Sequence, residues 1–217
     1  MTTSSDAPTA AVPADRATLD AELPPSALVA SLVLIARCAV HTAGLLARHR
    51  LRLPKDHLGM RIRFGDGSTG KVYRETLASG RAVREPVVLM VEFRLKVLNG
   101  PAGQGYFRAV SLLNTPLFAG FTGFRSKLWL AADETDRYRG LYQWDGAELA
   151  VRYVRALWWP LALVSDRDSI HYRILDGVWR DDVLNLTAAL PESADQWWRV
   201  VAVDAATGPY RDVPDCA

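Results

Sequence analysis

Of the four histidines in the chain, one, His171, falls in SIHYRIL at 169–175, whose alternating polar and apolar residues read as a strand. An imidazole beside a cavity titrates near neutral pH and would serve as a general base or orient a substrate hydroxyl. Tyr142 and Asn114 carry groups that bind a carbonyl or phenol oxygen, and Tyr153 would reach the same space from a following helix. The run GFRSKLWLAADETDRYRGLYQWDG, 123–146, adds Arg125, Lys127 and Trp129 on alternate positions and Trp144 on the next run. Such a mixture suits a polar and aromatic pocket, because alternation aims Trp129, Tyr142 and His171 from different strands at one volume. Each residue also has an ordinary reading: His171 as a satisfied core or surface histidine, Arg125 and Lys127 reaching solvent, Trp129 and Tyr153 as core.

Other chemistries lack their residues. There is no Ser-His-Asp order, metal-ligand cluster or dinucleotide-binding glycine loop, so neither a metal nor a cofactor is expected. GDGSTGK at 65–71 fails the phosphate-loop pattern because Val72 follows Lys71, and it reads as a hairpin turn. The net charge of +2, from 26 Lys and Arg against 24 Asp and Glu, argues against a nucleic-acid partner. Cys38 and Cys216 stand far apart in sequence, which suits a reducing cytoplasm better than a disulfide framework.

The elements that must position these residues divide the 217-residue chain into four parts. Residues 1–25 read as a disordered tail, 26–86 as an N-terminal helix and β-hairpin, 87–178 as the central domain, and 179–217 as a C-terminal extension. Within 87–178, VVLMVEFRLKV is a strand and YFRAVSLLNTPLFAGF at 106–121 a short helix. Strands follow at about 123–131 and 138–144, then a helix capped by Asp145, then SIHYRIL. The order β-α-β-β-α-β is that of an α+β, ferredoxin-like domain. Both helices on one sheet face leave the other bare, and homodimerisation through it would close a barrel around a small, flat, apolar molecule. On that reading Phe124, Ser126, Leu128 and Leu130 pack under the helices, while Arg125, Lys127 and Trp129 face the pocket.

The helix at 27–50, with Ser26 as N-cap, has two readings. Ala27–Ala47 is apolar enough to contact or cross a membrane, with RHRLRLPK as its basic flank. Against this, Arg37, His41, Gly44 and Arg48 form a polar stripe at helical spacing, opposite Leu28, Leu32, Ile35, Ala39 and Leu46, which favours packing against protein.

Gly123, Phe124, Lys127, Trp129, Gly140, Tyr142, Trp144, Ala150 and Tyr153 together resemble the corresponding run of the YdhR-like monooxygenases, in the dimeric α/β-barrel superfamily. The resemblance spans roughly 87–178 and implies a cofactor-independent oxygenase. A base, His171, would deprotonate a small aromatic or polyketide-like substrate, with Tyr142 as catalytic partner and Asn114, Arg125, Lys127, Trp129, Trp144 and Tyr153 holding it. The alternative is a non-catalytic ligand-binding or scaffold protein, attached to a membrane through 27–50. Haem turnover is a weaker third, with His171 as axial ligand.

Overall fold

A computed structural model describes residues 18–20, 25–80, 82–96, 115, 118–131 and 134–205. These residues build one large antiparallel sheet curled into a half-barrel, with three helices around it. Its strands are β1 (Thr18–Asp20), β2 (Leu51–Arg52), β3 (Arg61–Phe64), β4 (Thr69–Ala78), β5 (Pro86–Arg94), β6 (Phe124–Leu130), β7 (Arg137–Asp145), β8 (His171–Asp176) and β9 (Val200–Asp204). Neighbours run β1-β8-β5-β7-β6-β4-β3-β9, with β2 on β4. The helices are α1 (Leu28–Ala47), α2 (Ala147–Val164) and α3 (Arg180–Leu184).

This arrangement corrects the expected ferredoxin-like β-α-β-β-α-β fold. The four strands expected in 87–178 form, but they are the middle of a nine-stranded sheet rather than a whole one. The 61–78 hairpin is part of it, because β4 pairs along β6 through Arg74 opposite Trp129 and Thr76 opposite Lys127. Thr18–Asp20, read as tail, pairs with Leu175 to Arg173 of β8. Residues 106–114 of the expected first helix lie outside the described residues.

The dimeric α/β barrel, closed by homodimerisation through that sheet face, is corrected too. The sheet face expected to be bare is covered by the chain's own C-terminal part. Ile62, Val88, Met90, Leu128, Leu141 and Leu175 pack there with Val183, Leu184, Trp198 and Val200. Trp198 alone is 1% exposed, so this face is a core and offers no surface for a second copy. The monooxygenase reading, which borrowed its pocket from that barrel, loses its structural basis with it.

The opposite face forms a second core beneath α1 and α2, built on Val87, Leu89, Tyr142, Trp144, Trp129 and Tyr153. Helix α2 carries Ala150, Tyr153 and Ala156 inward at helical spacing. Two expected caps fall elsewhere. The N-cap of α2 is Gly146, while Asp145 accepts hydrogen bonds from the amides of Arg84 and Glu85. Ala27, not Ser26, precedes α1. Ser26 instead ties α1 to α2, its amide donating to Arg155 O and its carbonyl accepting from Trp159 Nε1 at 2.8 Å.

Candidate functional site

A bulge fixes which side chains of β6 share a face. Its register slips between Phe124 and Ser126, so Phe124 joins Lys127 and Trp129 on the helix-covered side, while Ser126, Leu128 and Leu130 face the other core. The expected assignment is therefore reversed: Lys127 and Trp129 do face away from Leu128 and Leu130, but they are the pair beneath the helices.

On that face β4, β6 and β7 bring two basic side chains into an aromatic enclosure. Lys127 Nζ lies 3.1 Å from the ring centre of Trp129, 4.6 Å from that of Tyr142 and 4.9 Å from that of Phe118. The Arg74 guanidinium sits 4.1 Å from the same Trp129 ring and reaches the Thr115 hydroxyl at 3.2 Å. Trp129 is held by its indole N–H, which donates to Thr76 Oγ1 at 3.2 Å. The hydroxyls of Tyr142 and Tyr153 share a hydrogen bond of 3.2 Å. Gly140 makes room for the lysine: a Cβ there would lie 2.7 Å from the Tyr142 ring and 3.2 Å from Lys127 Cε.

Lys127 is only 5% exposed, and among the described residues no carboxylate or hydrogen-bond acceptor pairs with it. Stripping water from an unpaired ammonium costs several kcal/mol, on the order of more than a cation–π contact of about 2 kcal/mol returns. Burial first, and the neighbouring Arg74 charge second, hold the Lys127 amine well below the ordinary lysine range. Burial likewise lowers Arg74 to about 10. It raises Tyr142 and Tyr153, which stay protonated phenols. The site thus brings an amine of lowered pKa, a guanidinium and a hydrogen-bonded pair of phenols within one aromatic wall.

The other expected residues distribute unevenly. Trp144 is buried against Tyr153, ring centres 4.9 Å apart, as part of the wall. Arg125 lies at the bulge and pairs with Asp145 at 2.6 Å. Asn114 lies outside the described residues. His171 is exposed at the start of β8, its ring 6.1 Å from that of Trp197, and it pairs across the ladder with Glu92 rather than meeting Tyr142. The base expected of it is not in this cluster. Among the described residues, no group of three His, Cys, Asp or Glu side chains is placed to hold a metal ion.

Sequence reasoning missed Arg74, Thr76 and Phe118. Arg74 and Thr76 alternate in KVYRETL, the signal of a strand with a polar face, but nothing local marks β6 as the partner of that strand. It also missed a polar cluster on the opposite face. Glu75 accepts from His57 Nδ1 at 2.7 Å and from Arg180 Nη1 at 2.9 Å, and Arg180 also donates to Ser126 Oγ. Burial raises the Glu75 carboxyl, but the His57 hydrogen bond and the Arg180 charge outweigh it and leave it lowered. Every charge there is paired, so this cluster clamps the C-terminal segment to the sheet.

No protein-family model matches the chain, and no curated protein matches it either.

Proposed function

We propose that the protein acts on a small keto acid, with Lys127 as the amine that captures the carbonyl carbon. The observation that carries this reading is the enclosed Lys127 amine beside Arg74, since a lysine desolvated next to another cation is nucleophilic at neutral pH. Arg74 supplies a partner for the substrate carboxylate, and the hydrogen-bonded Tyr142–Tyr153 pair has one O–H left to donate to the carbonyl oxygen. The amine nitrogen bonds to the carbonyl carbon, the oxygen departs as water after taking up protons, and a C=N bond remains. In a β-keto acid the protonated imine then draws the electron pair of the breaking C–C bond as CO2 leaves. Hydrolysis of the resulting enamine, through the imine, returns the free amine.

The test is trapping with sodium borohydride in the presence of acetoacetate or pyruvate, followed by peptide mapping. The expected result is a reduced adduct on Lys127 that disappears in Lys127→Met. Absence of an adduct, or labelling of surface lysines that is the same in Lys127→Met, would overturn the reading. An adduct without CO2 release from acetoacetate would make the protein a carbonyl-binding protein instead of a decarboxylase.

A further inference from the structure

Helix α1 is amphipathic in the reverse sense to a helix of a water-soluble domain. Its inward residues are small and polar, Ser31, Cys38 and Thr42, and the last two meet the turn at 118–121 so closely that a Cβ on Gly120 would lie 2.1 Å from Cys38 O. Its outward residues are Val29 (73% exposed), Leu32, Val33 and Val40 (71%), with Leu28 and Leu46 beside them. The polar stripe noted in the sequence does not set the packing: Arg37, His41 and Arg48 are exposed, and His41 only skirts the contact, its Nδ1 3.3 Å from Gly120 O.

The charge beside this face is mostly cationic: Glu148 of α2 stands across a groove from Ala30 and Val33, but with Arg152 and Arg155 beside it. Arg48, Arg50, Arg52 and Lys55 are exposed just beyond the helix, and no Asp or Glu occurs from Leu28 to Lys55. A 20-residue helix extends about 30 Å, so a long apolar strip ends in a cationic patch. A second copy docked on the strip would bring its own uncompensated cations, whereas an anionic headgroup layer neutralises them.

We infer that α1 docks this outward face on an anionic lipid bilayer, lying in the membrane plane with Arg48, Arg50, Arg52 and Lys55 at the headgroups. The helix stays on the body of the protein, because crossing the bilayer would break the Ser26 bonds to Arg155 and Trp159 and the Gly120 contact.

Sedimentation of the full chain with vesicles tests this. Binding to phosphatidylcholine vesicles containing phosphatidylserine should exceed binding to phosphatidylcholine alone by at least about ten-fold and weaken with salt. Val33→Asp with Val40→Asp should abolish it, while Arg48→Glu with Arg52→Glu should bring it to the phosphatidylcholine level; circular dichroism confirms that both variants fold. Failure to bind phosphatidylserine vesicles, or binding unchanged by either pair of substitutions, overturns the inference. A lipid-free dimer that Val33→Asp with Val40→Asp dissociates would assign the face to a second copy and overturn it as well. Membrane association that resists alkaline carbonate would mean insertion across the bilayer, again contrary to in-plane docking.

Discussion

Lys127 and Trp129, two positions apart on β6, point to the same side, and the lysine amine lies 3.1 Å from the centre of the indole ring it precedes. The strand brings them together, Gly140 on β7 leaves the lysine its space, and the Arg74 guanidinium lies 4.1 Å from the centre of the same ring.

That placement makes stability depend on alkaline pH. The folded-state pKa of Lys127 is lowered below its unfolded value, so at any pH between the two the unfolded chain holds more protons than the folded one. Stability therefore rises with pH between the folded and unfolded values, by up to about 1.4 kcal/mol per pH unit for this group, and levels off above roughly 10.4. Lys127→Met keeps the volume and removes the ionisable amine. It should be more stable than wild type at neutral pH, with an advantage that shrinks as pH approaches 10. Urea unfolding of both proteins across that range checks this; an advantage independent of pH would show that desolvation of the charge is not the cause.

The Glu75 cluster predicts the reverse dependence. Glu75 has a lowered folded pKa, so its contribution is present above the unfolded value of about 4.3 and is lost as pH falls through the folded one. Glu75→Gln leaves Arg180 only the exposed Asp181 as carboxylate partner and should cost about 1–3 kcal/mol at pH 7. The gap between wild type and variant should narrow below about pH 4. Denaturant melts at pH 7 and in acid measure it.

Much of the local structure was legible and little of the long-range pairing was. Alternation in VVLMVEFRLKV and in the 123–146 run located β5, β6 and β7 because successive side chains of a strand point to opposite faces, here towards the two cores. It could not show the bulge at Arg125, since one extra residue leaves the pattern intact on both sides and only exchanges the faces. For the same reason Trp129, Tyr142 and Tyr153 were found as neighbours, yet their side of the sheet was misjudged. His171 was overvalued because alternation gives the strand but not its exposed end. Arg74 was missed because the β4–β6 ladder joins segments about fifty residues apart, which no local pattern records.

Helix α1 approaches the turn at 118–121 backbone to backbone, a Cβ on Gly120 lying 2.1 Å from Cys38 O. Gly120→Ala sets a methyl group against Cys38 O and the Thr42 amide, an overpacking expected to cost about 1–3 kcal/mol. If that contact holds α1 on the sheet, hydrogen exchange should accelerate in 28–47 while β5 and β7 stay protected. Uniform acceleration throughout the chain would mean that α1 is not a separate layer.

The titration of Lys127 itself bears most directly on the account. With 13Cε-labelled lysine and Lys127→Met to assign the signal, the Lys127 resonance should titrate well below the model lysine value of about 10.4, and below every surface lysine. A Lys127 signal that titrates at or above that value would mean a charged, satisfied ammonium at the heart of the site, and would contradict both the lowered amine pKa and the carbonyl chemistry built on it.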